Sequence, residues 1–106
     1  MNLIKLQIKT ANQKYPIIIG DNILNKLPKI FKENKVNSNQ CLLVVDKNVP
    51  RKLITKIQKS LSKKQTTTHY FNATEKNKNY KSVDKILSIL LKKNFNRNDC
   101  LISVGG

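Results

Sequence analysis

Asp46, Lys47 and Asn48 directly follow a continuous apolar run, Cys41-Leu42-Leu43-Val44-Val45. Glu75 and Lys78 follow a weaker run near Thr66 to Phe71, and Gly105-Gly106 follow a third, Leu101 to Val104. A carboxylate just past a strand can accept hydrogen bonds from ribose hydroxyls, and a Lys there can neutralise a phosphate. Glycines let backbone N–H groups approach that phosphate closely. Together the three stretches describe a nucleotide pocket. Each also has a plainer reading. Asp46 or Asn48 can cap the helix that follows, Glu75 can cap the next one, and Lys78 is one of 19 lysines. Other chemistry is thinner. Cys41 and Cys100 each open a short apolar run, which reads as two buried, reduced thiols in strands. With His69 the only histidine, no zinc-ligand set can be assembled within the chain.

The elements that must position these residues are legible from periodicity. Leu3 to Thr10 alternates Ile4, Leu6 and Ile8 with Lys5, Gln7 and Lys9, the period-2 pattern of a half-buried strand. A second strand, Tyr15 to Ile19, is reached through Ala11 to Lys14, short enough for an antiparallel hairpin that would add edge strands. Ile23, Leu24, Leu27, Ile30 and Phe31 then recur at helical spacing, with Asp21 or Asn22 as N-cap. Pro28 inside that pattern predicts a turn first and a regular helix only from about Leu27.

From Cys41 to Val45 the uninterrupted apolar run predicts a parallel strand covered on both faces. Pro50 suits the first turn of a helix whose stripe is Leu53, Ile54, Ile57 and Leu61. A weaker strand spans Thr66 to Phe71. Tyr80, Val83, Ile86, Leu87, Leu90 and Leu91 predict an amphipathic helix ending near Asn94, and Leu101 to Val104 a last buried strand. This alternation builds right-handed crossovers and a parallel sheet. In such sheets ligands sit beyond the carboxyl ends of the strands, where the three stretches above fall. No repeat or linker interrupts the chain, so a single domain is expected.

The formal net charge of +15 on 106 residues raises the question of a polyanionic partner. Only Arg51 and Arg97 are arginines, while Lys, Asn and Ile fill 45 positions. Groove readers and phosphate clamps rely on the bidentate fork of Arg, so a solvated Lys surface is the favoured reading over a small basic nucleic-acid-binding module. Apolar runs stay near five residues, far below the roughly 20 needed to span a bilayer. Met1 precedes no signal-like apolar core. A soluble, cytoplasmic protein is expected, without a nucleic-acid or membrane partner.

A strand ending in two glycines should lead into a helix that completes the phosphate cradle. Because the sequence ends at Gly106, it is expected to be part of a longer protein.

The chain resembles the 3-dehydroquinate synthase family of sugar phosphate cyclases along its full length. The resemblance lies in Tyr15-Pro16-Ile17-Ile18-Ile19-Gly20, in Leu43-Val44-Val45-Asp46-Lys47-Asn48-Val49 and in Glu75-Lys76-Asn77-Lys78. It continues through Lys85-Ile86, Leu90-Leu91, Lys93 and Arg97 to Leu101-Ile102-Ser103-Val104-Gly105-Gly106. In the family Asp-Gly usually precedes the Glu-x-x-Lys motif, where this chain has Ala73-Thr74. Asn94 stands where a helix-ending Gly is usual, which a left-handed Asn tolerates.

The resemblance implies a Rossmann-like α/β fold, its parallel sheet flanked by helices on both faces and preceded by the hairpin. Residues 1–106 would form the N-terminal part of an NAD-binding domain. It further implies that Asp46, Asn48, Glu75, Lys78, Gly105 and Gly106 help to hold NAD. The metal ligands, for a divalent zinc or cobalt ion, and the catalytic residues would lie beyond Gly106. The implied whole enzyme, a cytoplasmic homodimer, converts a phosphorylated seven-carbon keto acid to 3-dehydroquinate and phosphate in the shikimate pathway. Related sugar phosphate cyclases and polyol dehydrogenases share much of this front portion.

Overall fold

The computed structural model describes residues 3–72, 74, 76 and 79–105. Strands β1 (Leu3–Lys9) and β2 (Lys14–Gly20) come first. A short 3-10 turn (Ile23–Lys26) leads into α1 (Leu27–Glu33). Then follow β3 (Gln40–Asp46), α2 (Arg51–Ser60), β4 (Gln65–Phe71), α3 (Tyr80–Lys92) and β5 (Cys100–Val104).

β3, β4 and β5 form a parallel sheet in the order β4-β3-β5. From β3 the chain crosses to one side and then returns past β3 to the other. Because crossovers between parallel strands are right-handed, the reversal of direction puts α2 and α3 on opposite faces. The parallel strands contain no Lys, so the charge is carried by the hairpin, helices and loops.

The core lies between β3 and α2. Leu43 and Val45 pack with Ile54, Ile57 and Leu61, all nearly or fully inaccessible, and Leu24, Leu27 and Phe31 close the cluster from the α1 side. Leu42 is also fully buried. Cys41-Leu42-Leu43 thus runs inaccessible on both faces, as an uninterrupted apolar strand must. Leu53 stays half-exposed at the rim of the α2 stripe.

Two expectations need correction. Among the described residues β5 lies at an edge of the sheet, and its residues alternate between half-buried and exposed, with Leu101 49% exposed. The most buried strand is β3, because it alone has a hydrogen-bonded neighbour on each side. The hairpin does not extend the parallel sheet either. It forms a two-stranded sheet of its own, with Ile4↔Ile19, Leu6↔Ile17 and Ile8↔Tyr15 in register on one face. Most of that face is exposed among the described residues, including Ile4 and Ile19 at 53% each.

Local chemistry sets the element ends. Pro28 sits in the first turn of α1, behind the 3-10 turn, where its missing N–H costs nothing. Asn22 occupies the N-cap position of that turn in a left-handed conformation, without a side-chain cap bond. Both α1 and α3 close with a left-handed residue. At α1, Lys35 (φ 59°) lets Val36 N donate to Phe31 O at 2.8 Å and Lys35 N to Lys32 O at 3.3 Å. At α3, Asn94 (φ 56°) lets Phe95 N donate to Leu90 O at 2.9 Å and Asn94 N to Leu91 O at 3.2 Å. Both are Schellman closures, which satisfy carbonyls the helix leaves unpaired. The start of α3 is capped by Asn79, whose side-chain oxygen accepts from Ser82 N at 3.2 Å.

Candidate functional site

β3 delivers Asp46 to the carboxyl end of the sheet, half-buried, while Asn48 two residues on is exposed. Asp46 Oδ1 accepts from Asn48 N at 3.1 Å, and Val49 N donates to Asp46 O at 3.0 Å. This Asx turn bends the chain away from the sheet and into α2. Lys47 N donates to Phe71 O at 2.9 Å, which ties the turn to the end of β4. Neither Asp46 nor Asn48 caps α2. Its N-cap is Pro50, which makes no side-chain cap bond. The plainer reading of Asp46 as a helix cap therefore fails, and Oδ2 makes no further hydrogen bond among the described residues.

β5 runs beside β3 with Val104 opposite Val45, and so carries Gly105 alongside Asp46. A Cβ built on Gly105 would meet Asp46 Cβ at 3.7 Å, an ordinary contact, and no other atom of the described residues within 4 Å. Gly105 has no positive φ, so neither backbone strain nor crowding demands glycine there. Without a side chain, Gly105 leaves that contact with Asp46 Cβ unmade.

Glu75, Lys78 and Gly106 lie outside the described residues. Asn79, four positions past Glu75, is the residue that caps α3. Of the six candidates the structure thus brings together Asp46, Asn48 and Gly105.

The sequence reading missed Arg51 and Tyr70. Tyr70 is opposite Val45 in the sheet register, and the Arg51 guanidinium carbon lies 5.7 Å from the Tyr70 ring centroid, within cation–π range. This pair sits beside the Asp46 turn, at the carboxyl end of β4 and the first residue of α2. The available signal was that Arg51 is one of only two arginines and directly follows the helix-starting Pro50.

Three described cavities lie elsewhere. One of about 310 Å³ is lined by Phe31, Lys32, Asn37 and Lys63, and a smaller one of about 180 Å³ by Ser60, Leu61 and Lys63. A third, about 240 Å³, lies between the 3-10 turn and α2. Among the described residues no group of three or more His, Cys, Asp or Glu side chains is placed to hold a metal ion. No described helix is long and apolar enough to cross a membrane.

Comparison with known proteins agrees on the fold and on a family. The iron-containing alcohol dehydrogenase family matches residues 15–106. A 3-dehydroquinate synthase of Pelagibacter ubique (strain HTCC1062) is 62% identical over 106 residues, covering 100% of this chain and 29% of the relative. A 3-dehydroquinate synthase of Staphylococcus carnosus (strain TM300) is 31% identical over 106 residues, covering 96% of this chain and 28% of the relative. Among solved structures, 2-deoxy-scyllo-inosose synthase complexed with carbaglucose-6-phosphate, NAD+ and Co2+ superposes with a TM-score of 0.84 at 18% identity. It covers 97% of this chain and 28% of that one. At that identity the likeness shows the fold, an α/β arrangement with the parallel sheet and leading hairpin. The chain spans under a third of the length of the relatives it matches.

Proposed function

The chain belongs to the iron-containing alcohol dehydrogenase family, and from that premise we propose that it forms the N-terminal part of the NAD-binding domain of a 3-dehydroquinate synthase. The observation that carries this reading is the 62% identity to a 3-dehydroquinate synthase along the whole chain. The whole protein would act as a lyase on a phosphorylated seven-carbon keto acid of the shikimate pathway, releasing phosphate and closing the ring to 3-dehydroquinate. It would be a cytoplasmic homodimer.

The described residues fit a dinucleotide. The Asp46 carboxylate keeps an oxygen beyond its Asx turn, and the missing side chain of Gly105 leaves room beside it. In this reading Asp46 accepts from a ribose hydroxyl and Asn48 donates from its exposed amide. Glu75 adds a second acceptor and Lys78 a positive charge for the pyrophosphate. Gly105 and Gly106 present backbone N–H groups to the same anion. When bound, NAD supplies a hydride acceptor. A divalent metal, zinc or cobalt, would be held by residues outside this chain.

A second reading has its own support. The chain shares its fold with 2-deoxy-scyllo-inosose synthase at a TM-score of 0.84, so another sugar phosphate cyclase or a polyol dehydrogenase is the alternative. The intact protein with NAD and zinc or cobalt, given the heptulosonate 7-phosphate substrate, should release one phosphate per ring closed. No phosphate from that substrate, with release from a hexose 6-phosphate instead, would replace the first reading with the second.

A further inference from the structure

At the amino end of the sheet, opposite the proposed cofactor site, Cys41 and Cys100 are register partners on the parallel strands β3 and β5. Partners in a parallel pair point to the same face. Their Cα atoms therefore stand one strand spacing apart, ~4.8 Å, inside the roughly 4.4–6.8 Å window from which a disulfide closes without moving the backbone far. Both thiols are free. Cys41 is wholly inaccessible and Cys100 is half-buried.

The surroundings are polar. Ser38, itself only 4% exposed, has its hydroxyl 3.6 Å from Cys41 Sγ. The ammonium of Lys64 donates to Ser38 O at 2.5 Å. Burial pushes the Cys100 thiol above its usual range, and the neighbouring Cys41 thiol adds to the rise, while Lys64 pulls the other way. Neither sulfur has any role in the proposed cofactor site.

We propose that Cys41 and Cys100 form a reversible oxidative modification site, a dithiol that small disulfides such as oxidised glutathione convert to a Cys41–Cys100 bond joining β3 to β5. Exposure sets the order. Cys100, as thiolate, attacks one sulfur of the small disulfide, forms a mixed disulfide and releases one thiol. Cys41, as thiolate, then attacks the Cys100 sulfur, closes the protein disulfide and releases the second thiol. Two protons leave the protein thiols and end on the two released thiols, and the small disulfide is the oxidant.

The test treats the purified, folded protein with excess oxidised glutathione, quenches by alkylation and maps peptides without reductant. The expected product is a Cys41 peptide linked to a Cys100 peptide, two hydrogens lighter than the separate peptides and reversed by dithiothreitol. Circular dichroism should stay unchanged throughout. Its formation should speed up about tenfold per pH unit below the thiol pKa, since the thiolate is the nucleophile. Cys100→Ser should leave Cys41 unmodified in the folded protein, because the more exposed sulfur is gone. Glutathione remaining on Cys100 with Cys41 free would overturn the proposal. So would both thiols staying unmodified while the protein is folded, or a bond linking two molecules.

Discussion

Asp46 and Gly105 face one another across the carboxyl ends of β3 and β5, and a Cβ on Gly105 would stand 3.7 Å from Asp46 Cβ. That distance separates folding from ligand binding. A methyl fits, so Gly105→Ala should change stability by less than ~0.5 kcal/mol. A branched side chain would fill the space the proposed dinucleotide site needs. Gly105→Val in the intact enzyme is expected to weaken NAD binding about tenfold or more, roughly 1.4 kcal/mol, by titration calorimetry. Wild-type affinity in Gly105→Val would remove Gly105 from the proposed site.

The carboxylate itself can be tested without disturbing its turn. In Asp46→Asn an oxygen remains to accept from Asn48 N, as Oδ1 does now at 3.1 Å, so the Asx turn survives and the melting temperature should hold. The charge is lost, and hydrogen bonds to charged acceptors are worth ~1.5–3 kcal/mol against about 1 for neutral ones. NAD affinity should fall by about tenfold. An unchanged dissociation constant would assign Asp46 to the turn alone.

Much of this arrangement is legible in the sequence, for reasons that differ by residue. The apolar run Cys41 to Val45 announces a buried strand because no polar residue interrupts it, and Pro28 marks the join between 3-10 turn and α1 because it lacks an N–H. The edge position of β5 was not legible. Its run Leu101 to Val104 looks like that of β3, and only the strand order β4-β3-β5 shows that one side of β5 has no partner strand among the described residues. The separation of the hairpin was hidden for the same reason, since period-2 alternation fixes a face and not a neighbour. Arg51 on Tyr70 joins residues on α2 and β4, a pairing that depends on how helix and strand pack and that no spacing rule captures.

The helix closures give a stability prediction. Lys35 holds φ at 59°, where a side chain carries a steric cost of roughly 1–2 kcal/mol that glycine lacks. Lys35 is exposed, and its replacement removes no buried contact. Lys35→Gly should stabilise the protein by about 1 kcal/mol in urea unfolding, less whatever unfolded-state entropy glycine adds. Destabilisation would mean that the α1 closure does not hold Lys35 in that conformation in solution.

Asp99 works at the opposite end of the sheet from Asp46. Its carboxylate accepts from Gln40 N at 3.2 Å and from Asn96 N at 3.0 Å, tying the α3–β5 loop to the start of β3. Asp99→Ala leaves both amides without this charged partner, at a cost of ~1–3 kcal/mol. Because Asp99 is remote from Gly105, NAD affinity measured well below the melting temperature should not change. Full stability in the variant would show that water replaces the carboxylate at no cost.

The raised Cys100 thiol fixes the sign of one pH dependence. Burial is the main cause, with Cys41 adding to it, so the folded state holds the Cys100 proton more tightly than the unfolded chain does. An unfolded cysteine titrates near ~8.5. Below that pH both states carry the proton and the group's contribution is fully present. Above it the unfolded chain releases the proton first and gains free energy, so stability falls as pH rises through the raised folded value. Cys100→Ser has no thiol to ionise and should lose less stability over the same range. The stability advantage of wild type over Cys100→Ser, from urea unfolding under reductant, is therefore expected to shrink steadily from about pH 8.5 upward. A difference independent of pH would place the Cys100 sulfur in contact with solvent.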